Sequence, residues 1–240
     1  MLVIDRISPT RRPERSVWGW QNWRQLLFMH WPVPVQALRD AVPSSFELDL
    51  YEGVAYVGVV PFAMQSVRPR FVPGPAALDF LETNVRTYVV RGGEPGVYFF
   101  SLEAASRLAV AAARAAFALP YHYAHMTLQP GADVTHYATR RRRTGVRHDV
   151  RYRVHEPLAA SAPGTLQHFL LERYLLFTER RGTPLRGQVH HVPYPVQRAE
   201  VLEVHDELVA AAGLPAVSGL PPIVHYSPGV DVEVFALEAV

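Results

Sequence analysis

The sequence predicts an α+β chain built mainly of antiparallel strands with a few short helices around them. Residues 79–91, "DFLETNVRTYVVR", alternate cleanly, with Phe80, Glu82, Asn84, Arg86, Tyr88 and Val90 on one face and the intervening residues on the other. Turn signals separate runs rich in β-branched and aromatic residues, at "GGEPG" (92–96), Thr144-Gly145 and Gly182. Helical spacing is confined to three short windows, and the strands alternate as antiparallel strands do.

Taken in order, residues 1–17 carry Pro9, Pro13 and several arginines and read as a flexible N-terminal arm, followed by one domain over 18–240. Trp18, Trp20, Trp23 and Trp31 read as core or rim packing. Val35, Leu38 and Val42 recur at helical spacing until Pro43 stops the turn. Val54–Met64 is a strand in which Pro61 suggests an edge or a bulge, and "VRPRFVPGPAAL" is a proline-rich loop. The alternating segment 79–91 turns at "GGEPG" into a partner strand, "VYFFSL".

"SLEAASRLAVAAARAAFALP" then predicts a helix, with Ser101 as cap, Glu103 in the first turn and Pro120 at the exit. Two hairpins follow, around Gly145 and Gly182. "AEVLEVHDELVAAAGLP" offers a helix ending at Gly213, and "DVEVFAL" is a last alternating strand.

Composition excludes several chemistries. The 240 residues contain no cysteine, which removes disulfides, thiol nucleophiles and thiolate metal sites. All 24 basic residues are arginine, so no side-chain amine exists to form a Schiff base. The net charge of +2 gives no sign of a nucleic-acid or membrane surface. The N-terminal stretch has no apolar core of signal-peptide length, and a soluble cytoplasmic protein is expected. No cofactor is called for: G-x-G-x-x-G, G-K-[ST] and G-x-S-x-G are all absent.

Among polar residues, Glu82, Asn84 and Arg86 share one strand face, where burial is expensive unless they serve each other or a ligand. From the pattern alone, a solvent-facing row is the simpler reading. His122 and His125 invite a metal, but an extended segment points them to opposite faces, and no metal is expected. Arg140–Arg143 reads as a solvated turn, and Glu172-Arg173 as an ordinary surface ion pair.

The ordered set "FMHWPVPVQALRDAVPSSFELD", "PFAMQSVRPR", "ETNVRTYV", "LPYHYA", "GTLQHFLLERY" and "RGQVHHVPYP" resembles the YqjF-like family of uncharacterised bacterial proteins, from about Trp20 onward. That family is remotely similar to acetoacetate decarboxylase, and the resemblance implies a cone-shaped, largely antiparallel β-barrel with helices outside. In the decarboxylase a strand glutamate and a "P-K-K" lysine pair do the chemistry. Here Glu82 stands for the strand glutamate, Ala113-Arg114 for "GR", and Tyr121-His122 for the two lysines. The imine route is therefore closed.

The resemblance implies Glu82, Tyr121 and His122 as catalytic candidates, and His30, Asn84, Arg86, Tyr88 and Arg114 as ligand-binding candidates. A small-molecule ligand bearing a carbonyl or carboxylate is the expected partner, and a homo-oligomer is left open. An acid–base lyase, isomerase or hydratase and a non-catalytic scaffold are the alternatives; which of Tyr121 and His122 points inward is undecided.

Overall fold

The computed structural model describes residues 4–240. The elements are β1 (Gly19–Val33), α1 (Val35–Ala41), β2 (Glu47–Leu48), β3 (Ala55–Pro69), β4 (Leu78–Arg91), β5 (Glu94–Ala104), α2 (Arg107–Phe117), β6 (Tyr121–Gln129), β7 (Thr135–Arg141) and β8 (Arg147–Pro157). They continue with α3 (Leu166–Leu171), β9 (Leu175–Arg180), β10 (Thr183–His190), β11 (Gln197–Asp206), α4 (Leu208–Ala211), β12 (Ile223–Val234) and β13 (Glu238–Ala239). The chain is mostly sheet, as the alternation predicts, and its pairings are antiparallel except where β5 meets β6 and β9.

The pairings return on themselves twice. One circuit runs β5-β6-β7-β8-β11-β12-β1-β3-β4 and back to β5; a second runs β5-β9-β10-β12-β1-β3-β4 and back to β5. Strands β12, β1, β3, β4 and β5 belong to both, so each of them has a neighbouring core on either face. On β1, Leu26 and Phe28 enter one apolar cluster while Leu27 and Met29 enter the other. On β3 the same split sends Val60, Phe62 and Met64 one way and Val57 and Val59 the other. The shared wall is thus buried on both sides, and "AYVGVVPFAM" is a continuous buried run.

Pro61 sits inside this wall and not on an edge. It lacks an N–H to donate, and β1 is irregular opposite it: the β1–β3 register shifts between Arg24 and Met29, where Gln25 takes φ 53°. The β4–β5 hairpin turns at Gly92 and Gly93, both with positive φ, as "GGEPG" predicts.

Two expectations are corrected. Ser101 and Glu103 lie in β5; the helix begins later, at Arg107, and Ser106 is its cap, accepting from the Ala109 N–H at 3.2 Å. Residues 199–206 are strand, held by β8, which leaves only Leu208–Ala211 helical. In the stretch read as a flexible N-terminal arm, Arg6 gives Asp49 two hydrogen bonds (2.7 and 2.6 Å), Pro9 is buried, and Arg12 pairs with Glu233 at 2.6 Å. Residues 1–3 of that arm lie outside the described residues.

Candidate functional site

The second circuit surrounds a cavity of about 220 Å³ that is partly open to solvent. Four successive inward positions of β4, Phe80, Glu82, Asn84 and Arg86, line it, so the row that the pattern alone assigns to solvent is interior. Tyr88 continues the row beyond the cavity, where it is closed by α3. Arg86 Nη2 donates to the Leu170 carbonyl at 3.2 Å, and the Tyr88 hydroxyl donates to the same oxygen at 2.9 Å. At the other end Phe80 packs with Phe99, Ala113 and Phe117, beneath α2.

Glu82 is 3% exposed. Burial raises its carboxyl to about 8, against a smaller opposing effect of the Tyr121 hydroxyl, which donates to Oε2 at 2.9 Å. At neutral pH the carboxyl keeps its proton, with one oxygen committed to Tyr121. Burial, reinforced by Glu82, pushes the Tyr121 phenol well above its ordinary value, so it remains a donor. Tyr121 lines the cavity, which answers the orientation question: His122, its neighbour on an extended strand, faces away. Burial lowers the His122 imidazole to about 4, helped by Arg141 and Arg114, so it is neutral on the far side of the wall.

Arg86 is buried, and among the described residues no carboxylate pairs with it; its Nε has no hydrogen-bond partner. It lies over the Phe28 ring at 5.4 Å and the Tyr88 ring at 5.9 Å. Asn84 Oδ1 is likewise buried and without a partner among the described residues.

Arg173 also lines the cavity, a position read from sequence as surface. Its Nη1 pairs with Asp49 at 2.7 Å, its Nε donates to the Phe169 carbonyl, and its Nη2 is unpartnered among the described residues. Glu172 does not pair with it; it accepts from the Tyr174 hydroxyl at 2.7 Å. The signal for this burial was the flanking "FLL" and "YLLF", which make Glu172-Arg173 an interruption of an apolar run.

Two further candidates, His30 and Arg114, stand behind the cavity and do not line it. His30 is fully buried, and its Nε2 is 2.7 Å from the Tyr88 oxygen. Since that hydroxyl's proton goes to Leu170, the imidazole donates from Nε2 and leaves Nδ1 bare. Burial, with Arg86 beside it, holds this imidazole well below its ordinary value and uncharged. Gly58 sits between the two in register, and a Cβ there would lie 3.0 Å from His30 Cδ2 and 3.5 Å from Arg86 Cγ. Arg114 reaches back from α2 and donates from Nε to the Tyr121 carbonyl at 2.7 Å; it fixes the strand, outside the cavity. Arg141, from the presumed solvated turn, is buried and paired with Glu103 across the wall.

No cluster of three or more His, Asp or Glu side chains suited to a metal occurs among the described residues. No helix among them is long and apolar enough to cross a membrane.

The fold has solved counterparts. An acetoacetate decarboxylase superimposes with a TM-score of 0.65 at 15% identity, covering 97% of this chain and 91% of the other. The enduracididine biosynthesis enzyme MppR, solved complexed with pyruvate, gives 0.63 at 12% identity, covering 95% and 93%. A decarboxylase from Legionella pneumophila gives 0.62 at 13%, covering 98% and 93%. In sequence, the uncharacterized protein YqjF of Bacillus subtilis is 38% identical over 216 residues, 88% of each chain. Residues 20–231 match DUF2071, described as an uncharacterized conserved protein, and the chain belongs to that family.

Proposed function

We propose that the cavity binds a small carboxylate-bearing metabolite without covalent chemistry. The observation that carries this reading is Arg86, a buried guanidinium that lines a cavity with mainly apolar walls and has no carboxylate partner among the described residues. A buried cation without a counter-charge is costly, and a ligand carboxylate would supply the missing partner in the planar geometry that guanidinium favours. Asn84 Oδ1 offers an open acceptor for a ligand hydroxyl. Protonated Glu82 offers a donor for a ligand carbonyl, with Tyr121 holding its other oxygen. Pyruvate on a protein of the same fold supports the keto-acid class. The second circuit is, on this reading, the wall of a cone-shaped barrel. A scaffold would be expected to fill its interior with side chains, and a cavity of about 220 Å³ counts against it.

Isothermal titration of the purified protein with α-keto and α-hydroxy acids, each beside its methyl ester, tests the reading. Acids should bind and esters should not; equal binding of both, or of neither, would overturn it.

A second reading has its own support, the displaced Glu82 carboxyl. A group that titrates near neutrality beside a bound carbonyl is suited to move a proton between the carbon next to the carbonyl and the carbonyl oxygen. Enolisation would show as exchange of the C3 protons of an α-keto acid in heavy water, followed by NMR. The reading requires that Glu82→Gln abolish the exchange while the acid still binds.

A further inference from the structure

The polar side chains of the β4 row are gathered toward one end of the cavity. Along β4 the lining changes from Phe80 to Glu82 and Asn84 and then to Arg86, a span of roughly 20 Å between the outer Cα atoms at strand rise. The Arg86 end is sealed by α3 and joined by Arg173. The Phe80 end is walled by Phe99, Phe117 and Trp18, with Trp18 and Phe117 in edge contact at 4.9 Å. Its roof is α2, whose lining residues other than Phe117 are alanines: Ala109, Ala112 and Ala113 fall on one side of the helix, at helical spacing.

A three-carbon acid held at Arg86 would leave that apolar end filled with water. Water among aromatic rings and alanine methyl groups finds few hydrogen-bond partners, which favours its replacement by carbon. The charges set the other limit. Asp49 already answers Arg173, which leaves Arg86 as the cation without a carboxylate at the polar end; Arg68, which also lines the cavity and lies over the Trp20 ring, sits beyond Phe80, too far along the strands to meet the second carboxylate of a short dianion held at Arg86.

We infer that the ligand is an amphipathic monocarboxylate whose carboxylate meets Arg86 and whose alkyl or aryl tail runs past Phe80 to the alanine face of α2. This rests on the carboxylate-binding reading above and adds the tail, the single charge, and Ala109 and Ala113 as the residues that set tail length.

The test is a titration series with pyruvate, α-ketobutyrate, α-ketohexanoate, α-ketooctanoate and phenylpyruvate, with α-ketoglutarate as the dianion. Quenching of tryptophan fluorescence reports binding, since Trp18 and Trp23 line the cavity. Affinity should rise roughly three- to fourfold per added methylene, the value of one buried CH₂, and α-ketoglutarate should bind more weakly than α-ketohexanoate. Ala113→Phe should weaken the long acids about tenfold and leave pyruvate unchanged; Ala113→Val, a milder enlargement, should do the same to a smaller degree.

Acids that bind with an affinity indifferent to length, or a dianion that binds as well as α-ketohexanoate, would overturn the tail inference and leave the carboxylate reading intact. Failure of every acid to bind would sink both.

Discussion

Replacing Glu82 with glutamine should stabilise the protein, and increasingly so as pH rises. The buried carboxyl is held near 8 in the folded chain, while in the unfolded chain it ionises around 4.5. Below that lower value both states are protonated and the group has no pH-linked effect. Between the two values the unfolded state sheds a proton that the folded state keeps, so rising pH favours unfolding by 1.36 kcal/mol per unit. From pH 5 to pH 8 this amounts to about 3 kcal/mol of lost stability that glutamine, which cannot ionise, would not suffer.

Glutamine has the same shape, and its amide oxygen can still accept from Tyr121. The expected result is a gap in melting temperature between variant and wild type that is small at pH 5 and wider by roughly 6–12 °C at pH 8, for a chain of this size. Reversible urea unfolding at the two pH values gives the free energies directly. A gap that stays constant, or narrows with pH, would mean that Glu82 is ionised and stabilised in place, and would refute the reasoning.

Other expectations follow from the same site. Arg86→Met should reduce carboxylate affinity about 100-fold, the loss of a charge-assisted pair, with folding stability unchanged or raised because an uncompensated cation is removed; calorimetry and urea unfolding report the two effects separately. Asp49→Asn strips the partner from both Arg6 and Arg173 and should cost about 3–5 kcal/mol in urea unfolding. Gly58→Ala should cost about 1–3 kcal/mol by overpacking against His30, visible in the same assay and accompanied by weaker acid binding as Arg86 is displaced. Carboxylate affinity should fall as pH rises through about 8, where Glu82 becomes an anion facing the ligand's own; titration at pH 7 and pH 9 checks this.

Local chemistry made much of the fold legible. The 79–91 alternation, the Gly92-Gly93 turn and the hairpins at Gly145 and Gly182 are all properties of a few adjacent residues, and each appears where the sequence puts it. What lay beyond reach was the covering of a second face. Glu82, Asn84 and Arg86 read as solvent-facing because a half-buried strand with polar residues on one side looks the same, and only the return of β9, β10 and β12 encloses them.

The helix start failed for a related reason. Ser101 and Glu103 suit a helix cap, but pairing of β5 with β4 and β6 holds them extended, and Ser106 takes the cap. Arg173 was missed because adjacent Glu and Arg look like an exposed pair, while its real partner, Asp49, is 124 positions away in sequence.

The wall between the two cores is a single strand thick, and parity alone decides which interior a β4 side chain serves. Substitutions at 80, 82, 84 and 86 retune the cavity, whereas those at 81, 83, 85 and 87 repack the opposite core, so each compartment can be altered without rewriting the other. Loss of one residue just before Glu82 would exchange the two sets from there on, burying Arg86 among valines and turning Val85 and Thr87 toward the cavity. In a chain built this way, length is free to vary at turns such as Gly92-Gly93 and is fixed within the strand.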